Sequence, residues 1–461
     1  MTPRLPTRAL EDAIERTPEA PALATADATW TYRRLGLEVA ARARRELGDL
    51  APGSRVGVEI VPGAPSSVAL LWAAWRLGLT VLPLSRRDAE TPARRAVAGR
   101  HGLDAVIVDQ GPAESDGAEP EWPHPVATGV LCLIPTSGST GGPKLVCLTH
   151  GNVAAAVESS SRLLGNGQRD TWLLCLPLTH VAGLSILWRS AATGGAVRLV
   201  AGFEASGVAA ILTRGEASWV SLVPTMLRRL LAADAGPYPA TLAGVLVGGA
   251  AVDEALVLRA LAAGLPVLSS YGMTEACSQI ATVAPGEAAD SIGSVGRPVP
   301  GMSVEVVGPG GAVEDGVEGD IYVDGPAVSP GYDRAPPRVS PLRTGDRGYL
   351  DGGGRLVVVG RGDDVIVTGG ENVQPALVEA AITSHPGVRL AAVFGAPDVE
   401  WGEVVVASVV APGESAASLE EHVRARLRRF EVPRRWVFLD HLPVLANGKV
   451  DKASLRRRLA P

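Results

Sequence analysis

The segment PTSGSTGGPK, residues 135–144, directly follows an apolar run at residues 129–134 that is typical of a buried strand. Its glycines allow backbone amides to approach an anion closely, and Lys144 adds a mobile positive charge. The hydroxyl donors of the segment are Thr136, Ser137, Ser139 and Thr140. The segment is not a Walker A loop, because Leu145 rather than Ser or Thr follows the lysine. The pattern favours a loop that holds a polyphosphate over a flexible surface turn.

Outward from this loop, the chain repeats short Val, Leu and Ile runs, Ala- and Leu-rich stretches of helical period, and Gly or Pro punctuation. This repetition predicts α/β layers with buried strands. The predicted strands are Val56–Ile60, Val81–Leu84, Ala105–Val108, Gly129–Ile134, Ser218–Val223, Gly244–Val247 and Val267–Ser269. A helix is predicted at Ser67–Leu77, and Asp253 is placed to cap the helix that follows the glycine turn at residues 248–250.

The sequence changes after Ile292 to short alternating strands with Gly-Pro turns, such as Ser303–Val307 and Gly319–Val323, which predicts a small β-rich subdomain. A new α+β pattern begins at Arg361, so we expect an N-terminal domain at residues 1–360 and a C-terminal domain at residues 361–461. The predicted elements of the second domain are a helix at Pro375–Thr383, strands at Val388–Phe394 and Val404–Val410, a helix at Leu419–Arg429 and a basic helix from Lys452. The fold class is therefore α/β, with a large N-terminal domain of layered α/β subdomains plus a β-rich subdomain, followed by a small α+β domain.

Composition excludes several classes of protein. The formal net charge of −6 comes without a basic stripe, and the Arg-rich residues 424–429 and 456–458 lie in helix-like segments, so nucleic-acid binding is not expected. The four cysteines lack CxxC spacing, which favours reduced thiols in a cytoplasmic compartment over metal ligation. The longest apolar stretch, residues 68–84, is interrupted by Arg76, and the first ten residues lack an apolar core, so neither a membrane span nor export is predicted.

Four further motifs combine glycine with polar side chains: YGMTE at residues 271–275, RTGD at 343–346, TGGEN at 368–372 and NGK at 447–449. Each alone is common in ordinary turns. Taken in order with the 135–144 loop, they resemble the signature motifs of the acyl-adenylate-forming superfamily, which includes acyl-CoA synthetases, luciferases and the adenylation domains of peptide synthetases. The resemblance extends over nearly the whole chain.

The resemblance implies an enzyme that binds ATP and Mg²⁺. In the superfamily the glycine loop holds the phosphates, which assigns Thr136, Ser137, Gly138, Ser139, Thr140, Gly141 and Lys144 in this sequence. The adenine and the adjoining phosphate are implied to lie against Gly249, Ala250, Tyr271, Gly272 and Thr274. Glu275 is implied to ligate magnesium, which suits a hard carboxylate oxygen. Asp346 is implied to accept both ribose hydroxyls, with Arg361 assisting, because an ionised carboxylate is only an acceptor.

The resemblance also implies that the C-terminal domain rotates between adenylation and thioester formation. Asp363 matches the hinge residue, whose own φ and ψ must absorb that rotation. Gly369 and Gly370 are implied to flank the pantetheine arm of coenzyme A. Lys449 is implied to be the catalytic cation, because attack of a carboxylate on the α-phosphate builds negative charge that a cation stabilises.

The acid and its acceptor rest on finer resemblances. His180 is implied to lie near the acyl pocket and to act in catalysis, although a buried histidine satisfied by the backbone remains an alternative. Residues 183–190, 270–279, 292–296 and 369–372 resemble o-succinylbenzoate–CoA ligases of menaquinone synthesis, and residues 396–403 resemble CoA ligases, so these substrates are expected. Two alternatives stay open: a free-standing ligase that hands another aryl or acyl acid to CoA or a carrier protein, and a noncatalytic nucleotide sensor. A second carboxylate could be recognised by His180, Arg189 or another group, and the sequence does not indicate an oligomeric state.

Overall fold

The computed structural model describes residues 5–89, 93–113, 129–136, 144–233, 236–445 and 448–459. The helices are α1 (Pro6–Arg16), α2 (Tyr32–Arg42), α3 (Pro65–Arg76), α4 (Arg86–Ala89), α5 (Ala93–His101), α6 (His150–Leu164), α7 (Val181–Thr193), α8 (Ala205–Thr213), α9 (Pro224–Ala232), α10 (Glu254–Ala262), α11 (Pro375–Thr383), α12 (Ala416–Arg424) and α13 (Lys452–Leu459). The strands are β1 (Pro21–Ala24), β2 (Thr29–Thr31), β3 (Arg55–Ile60), β4 (Thr80–Ser85), β5 (Ala105–Ile107), β6 (Val130–Thr136), β7 (Lys144–Thr149), β8 (Thr171–Leu174), β9 (Ala196–Leu199), β10 (Trp219–Leu222), β11 (Gly244–Gly248), β12 (Val267–Met273), β13 (Ser278–Thr282), β14 (Arg297–Pro298), β15 (Ser303–Gly308), β16 (Gly311–Ala312), β17 (Gly319–Asp324), β18 (Leu342–Leu350), β19 (Leu356–Arg361), β20 (Ile366–Thr368), β21 (Glu371–Val373), β22 (Leu390–Asp398), β23 (Gly402–Val410) and β24 (Arg435–Phe438).

A nine-stranded sheet has the order β14-β13-β12-β11-β10-β8-β9-β1-β2. Its central strands are parallel, whereas β2, β13 and β14 pair in antiparallel fashion at its edges. A parallel sheet is covered on both faces, so its strands are apolar throughout, and all four residues of β10 are buried accordingly. The carboxyl ends of β11 and β12 carry the predicted Gly249 turn and the YGMTE motif.

A second sheet of five strands has the order β5-β3-β4-β6-β7, and β6 and β7 form its antiparallel pair. The predicted phosphate loop connects these two strands, but residues 137–143 lie outside the described residues, and with them Ser137, Gly138, Ser139, Thr140 and Gly141. Helix α3 is buried on every side from Ser66 to Arg76, as expected for a helix that is apolar all round. Its Trp75 packs edge-on against Trp72, with ring centroids 5.2 Å apart, and lies 5.7 Å from Trp188 of α7.

Two further five-stranded sheets are present among the described residues. The first has the order β16-β15-β17-β18-β19, and its β18–β19 pairing places Asp346 opposite Arg361. The second contains β21-β20-β23-β22, with β24 added beside β23, and α11, α12 and α13 belong to the same part of the chain. Within the described ranges, no helix is both long and apolar enough to cross a bilayer.

Most element predictions are confirmed, and the differences have local causes. Asp253 caps α10 as predicted, because its side chain accepts a hydrogen bond from the amide of Leu256. The prediction that the helix from Leu419 ends at Arg429 is wrong, because α12 ends at Arg424. Beyond it, the amide of Arg428 donates to the Glu431 carboxylate at 2.7 Å, which replaces a helical backbone bond. The Arg-rich residues 425–429 are therefore not helical.

His150, the first residue of α6, is 3% exposed, and among the described residues its Nδ1 has no hydrogen-bond partner. Burial lowers its pKa to about 4. Since a histidine in the unfolded chain titrates near 6.5, the unfolded state binds more protons than the folded state between these values. Stability is therefore retained above pH ~6.5 and lost as the pH falls toward ~4, by about 2 kcal/mol between pH 7 and pH 5. We expect His150→Gln to weaken this pH dependence in urea unfolding, and the exposed control His441→Gln to preserve it. Equal slopes for both variants would contradict the assignment.

Candidate active site

The β18–β19 pair supplies a buried carboxylate at Asp346, which is 8% exposed. The Tyr271 hydroxyl donates to its Oδ2 at 2.6 Å, and Nη1 of Arg361 lies 3.6 Å from its Oδ1. Burial raises the pKa of Asp346, while the Tyr271 hydrogen bond and the Arg361 charge act in the opposite direction. These two contacts orient the carboxylate, so that its remaining lone pairs can accept from hydroxyl groups of a ligand.

Tyr271 lies near the carboxyl end of β12, where this strand pairs irregularly with β13. A Cβ atom on Gly272 would lie 1.6 Å from the carbonyl oxygen of Ser278, so glycine is required there. The pairing of β12 with β13 shifts register between Tyr271 and Gly272, which is the local sign of a bulge. This close approach of the two strands explains why the sequence motif places glycine directly after the aromatic residue.

Glu275 and Lys144 are brought together by a residue outside the quoted motifs, Tyr332. Its hydroxyl donates to Glu275 Oε1 at 2.9 Å, and Lys144 Nζ lies 5.4 Å from the centre of its ring. Burial, reinforced by the Glu275 charge, raises the pKa of Tyr332 to about 12, so it stays a neutral donor. Thr136 pairs with Lys144 across β6 and β7. The two ends of the phosphate loop therefore lie on the side of the molecule that carries Glu275.

Lys449 reaches the turn after β11. A Cβ atom built on Gly249 would lie 3.4 Å from Lys449 Cε and 3.9 Å from its Nζ. Thr225 Oγ1 holds the preceding backbone by donating to the Gly448 carbonyl at 2.7 Å. Burial lowers the pKa of Lys449, and the charge of Asp346 partly opposes this shift. The lysine is thus a partly desolvated cation near the candidate ribose carboxylate.

His180 lies close enough to Lys449 to feel its charge. Burial lowers the pKa of His180 first, and the positive charge of Lys449 lowers it further, so the imidazole is neutral at pH 7. His180 is also the residue before α7, and its side chain makes no capping hydrogen bond. A neutral imidazole that does not cap the helix can donate a hydrogen bond to a ligand or accept one from it.

The structure gathers Gly249, Tyr271, Asp346, Arg361, His180 and Lys449 at one place, with the Glu275 and Lys144 group on the segment that continues from Tyr271. Gly272 and Thr274 belong to that same segment, and the exposed Ala250 follows Gly249. Gly369 and Gly370 are not gathered there. They form the turn between β20 and β21, where Gly369 faces the Trp401 ring and a Cβ atom on Gly370 would meet open space.

Asp363 forms an ion pair with Arg361, and the sequence motifs did not indicate this pair. Nε and Nη2 of Arg361 donate to the two carboxylate oxygens of Asp363 at 2.8 and 3.0 Å. The Arg361 guanidinium is therefore shared between Asp346 and Asp363, with an additional hydrogen bond to the Thr344 carbonyl at 3.2 Å. The predicted hinge residue is directly connected to the candidate ribose site.

A cleft of about 1020 Å³ adjoins this site. It is bordered by residues of the large N-terminal part, such as Thr179 and Thr225, and by residues near the carboxyl end, such as Leu442 and Gly448. Asp346 and Tyr271 are not part of its described wall, so this cleft lies beside the candidate ribose carboxylate rather than around it. Five arginines border it: Arg86, Arg228, Arg229, Arg259 and Arg389.

Comparison with known proteins agrees with this geometry. The family model of AMP-binding enzymes matches residues 87–333, and the model of the AMP-binding enzyme C-terminal domain matches residues 377–449. The chain is 38% identical to a 2-succinylbenzoate–CoA ligase of Geobacillus kaustophilus over 71% of its own length and 69% of the relative. It is also 38% identical to one of Bacillus cereus over 76% of its own length and 74% of the relative.

Solved structures give the same result. The o-succinylbenzoate CoA synthetase of Bacillus subtilis in complex with its acyl-adenylate intermediate superposes with a TM-score of 0.86 at 30% identity, covering 99% of both chains. The same enzyme in complex with ATP and magnesium ion superposes with a TM-score of 0.86 at 31% identity, covering 97% of this chain and 99% of that one. The chain therefore belongs to the family of AMP-binding enzymes and is an ATP-dependent, AMP-forming acid–CoA ligase.

Proposed function

We propose that the acid is o-succinylbenzoate, which is first converted to an acyl-adenylate and then to its CoA thioester for menaquinone synthesis. Two observations together support the proposal. The candidate nucleotide-binding residues lie close together, and the chain matches more than two thirds of the length of relatives that are named for this substrate. The intermediate in the Bacillus subtilis structure is the adenylate of the same acid. We further propose that the chemistry takes place in the cytoplasm, which the four free cysteines support.

In the first half-reaction, a carboxylate oxygen of the acid attacks the α-phosphorus of ATP, the bond to the β-phosphate oxygen breaks, and pyrophosphate leaves. Asp346, oriented by Tyr271 and Arg361, would hold the ribose, and the open surface at Gly249 and Ala250 would receive the adenine. Lys449 would stabilise the negative charge that develops on the α-phosphate oxygens, because its position is fixed before the reaction starts. His180, neutral beside it, would contact the attacking carboxylate.

Magnesium fits the Glu275 position. Among the residues that the structure describes, no group of three or more His, Cys, Asp or Glu side chains could hold a metal by itself. Mg²⁺ is commonly held by one or two carboxylates together with substrate phosphates. Glu275 provides that carboxylate, and its hydrogen bond from Tyr332 orients it. When bound, the ion would neutralise phosphate charge, while Thr136, Thr274 and Lys144 would contact the phosphates themselves.

The second half-reaction needs CoA, whose thiol attacks the acyl carbon and releases AMP. Among the described residues on the wall of the 1020 Å³ cleft, five are arginines and one, Asp440, is acidic. Arg228 is paired with Asp253, and the remaining positive charge would attract the phosphates of CoA. We propose that residues 1–360 and 361–461 are two domains that rotate about Asp363. That rotation would withdraw Lys449 and bring Gly369 and Gly370 toward the acyl-adenylate.

A panel of carboxylic acids in a pyrophosphate-release assay, with and without CoA, tests the proposed function. We expect o-succinylbenzoate to give the highest kcat/KM for pyrophosphate release, and CoA to increase turnover by removing the adenylate as thioester. If another aryl acid supports pyrophosphate release and o-succinylbenzoate does not, the proposed substrate is wrong and the reaction class still stands. If a carrier protein accelerates pyrophosphate release and CoA does not, the proposed acceptor is wrong.

A further inference from the structure

The first turn of α9 contacts the loop that carries Lys449. The Thr225 hydroxyl donates to the carbonyl of Gly448 at 2.7 Å, although the two residues lie 223 positions apart in the chain. A Cβ atom built on Gly448 would lie 3.0 Å from Met226 Cε and 3.1 Å from Val223 Cγ2, so the loop packs closely against this turn. We call Val223, Thr225 and Met226 the α9 docking surface.

Thr225 uses its hydroxyl differently from other helical threonines of this chain. Thr193, Thr213 and Thr383 donate to the carbonyl four residues earlier in their own helices, at 2.8 to 3.0 Å. Hydroxyl side chains in helices commonly bond back in this way. Thr225 is the second residue of α9, so the residue four positions earlier, Ser221, lies in β10 and not in the helix. The Thr225 hydroxyl donates instead to a segment that is distant in the sequence.

The α9 docking surface is fixed to the core of the large N-terminal part. Val223 directly follows β10, and its carbonyl accepts from the amides of Met226 and Leu227 at 2.9 and 3.1 Å. Val223 and Met226 are buried, and Leu227 and Leu230 anchor the same helix in one apolar cluster. A hydrogen-bond donor on such a rigid element, here Thr225, can fix the position of its partner closely.

The loop that carries Lys449 is closed by its own backbone. The amide of Gly448 donates to the Leu445 carbonyl at 2.9 Å, and the amide of Leu445 donates to the Lys449 carbonyl at 2.8 Å. A bridge between Val444 and Val450 closes the base of the loop. Gly448 has a φ of 81°, a conformation that favours glycine. The loop is therefore a preformed unit, and its Gly448 carbonyl is the acceptor that α9 uses.

The docked position of the loop determines where the lysine side chain lies. Val223 contacts the Gly448 site through Cγ2, and its Cγ1 lies 3.6 Å from a Cβ atom built on Gly249. Lys449 Cε lies 3.4 Å from that same Cβ position. The lysine therefore extends from the docked loop to the turn after β11, beside the candidate nucleotide site. Movement of the loop away from α9 would withdraw the ammonium from Gly249 and from the charge of Asp346.

We propose that Thr225 is a positioning residue for acyl-adenylate formation, because its hydrogen bond to the Gly448 backbone holds Lys449 against the nucleotide site. This inference rests on the proposed catalytic role of Lys449 and does not depend on which acid is activated. The same bond must break when the C-terminal domain makes the proposed rotation. Thr225 therefore favours the adenylating orientation of the two domains over the orientation for thioester formation.

The test measures ATP–pyrophosphate exchange at saturating acid for Thr225→Val, which replaces the hydroxyl by a methyl group of similar size. The exchange rate should fall about 5-fold, as expected for the loss of one neutral hydrogen bond. The KM for ATP should not change, because Thr225 acts through Lys449 and not on the nucleotide. Thr225→Ser keeps the hydroxyl and should retain most of the activity. An unchanged exchange rate in Thr225→Val would overturn the proposal.

Two comparisons separate a positioning role from a structural one. Thr213→Val is the matched control, because the Thr213 hydroxyl bonds within α8, and this variant should exchange at the wild-type rate. In a Lys449→Ala background, Thr225→Val should cause no further loss, since the lysine that it positions is absent. The same fold loss in both backgrounds would show that Thr225 acts independently of Lys449, and the proposal would be wrong.

The second half-reaction provides an independent readout. Supplied with synthetic acyl-adenylate, Thr225→Val should form thioester at the wild-type rate or faster, because this step does not require the docked loop. CoA is kept saturating, since Thr225 also borders the 1020 Å³ cleft. A loss of thioester formation as large as the loss of exchange would contradict the proposal.

These outcomes distinguish this proposal from the proposed function. If Lys449→Ala exchanges at the wild-type rate, the role of Lys449 is wrong, and the role of Thr225 is wrong with it. If Lys449→Ala loses exchange and Thr225→Val does not, only the role of Thr225 is wrong. If another acid supports exchange and o-succinylbenzoate does not, the proposed substrate is wrong, and the same comparison with that acid decides the role of Thr225.

Discussion

Replacing Lys449 by alanine is expected to reduce acyl-adenylate formation about 1000-fold, since one preorganised electrostatic group contributes ~10²–10³ in kcat. The lysine lies against Gly249 and feels the charge of Asp346. In the proposed mechanism its ammonium would lie near the α-phosphate of ATP. ATP–pyrophosphate exchange with saturating acid measures the loss. The KM for ATP should change little, because Lys449 acts on charge that is present mainly in the transition state.

The second half-reaction distinguishes this role from a general structural one. Lys449→Ala supplied with synthetic acyl-adenylate and CoA should form thioester at close to the wild-type rate. Lys452→Ala is the matched control, because Lys452 lies three residues away and pairs with Glu379 at 2.6 Å within the C-terminal part. It should retain both half-reactions. Equal loss of both half-reactions in Lys449→Ala would falsify the assignment.

Asp346→Asn is expected to raise the KM for ATP about 100-fold, because hydrogen bonds to a charged acceptor are worth ~1.5–3 kcal/mol each. The amide keeps one acceptor oxygen but loses the negative charge, and it can no longer accept from two ribose hydroxyls while Tyr271 also donates to it. Tyr271→Phe should have a smaller effect, since it removes only the hydroxyl that orients the carboxylate. Steady-state kinetics of pyrophosphate release at varied ATP provide the measurement.

Dideoxy-ATP lacks both ribose hydroxyls, so it tests the proposed contact between Asp346 and the ribose directly. The wild type should bind this analogue much more weakly than ATP, whereas Asp346→Asn should show little preference between the two nucleotides. If the variant and the wild type discriminate equally, Asp346 does not hold the ribose.

The sequence predicted much of this site because adenylate chemistry depends on short loops that follow strands. The residues around Gly249, Tyr271 and Asp346 are local motifs, and the parallel sheet brings the ends of β11 and β12 to one edge. Lys449 was predicted by resemblance alone, since nothing in the neighbouring residues sets it apart from other surface lysines. Its contact with Gly249 depends on how the carboxyl-terminal part packs against the larger one.

The residues that sequence reasoning missed act through tertiary contacts. Tyr332 lies in a loop 57 positions from Glu275, and no spacing rule relates the two. Arg361 and Asp363 were read as separate motif residues, although they form one bidentate pair. The sequence singled out Arg189, but only the tertiary structure shows that its Nε and Nη1 have no hydrogen-bond partner among the described residues. The end of α12 was missed because a side chain, Glu431, caps the backbone from outside the helix.

Helix α3 is buried on every side from Ser66 to Arg76, and one apolar cluster extends from it into the nine-stranded sheet, through Trp219 of β10, and into the sheet of β3–β7, through Val58 of β3. Disorder in either sheet would expose the same helix. We therefore expect these two sheets to unfold together, although no strand pairing joins them among the described residues. The sheet of β20–β24 is enclosed by clusters of its own, so its folding is not tied to α3 in this way.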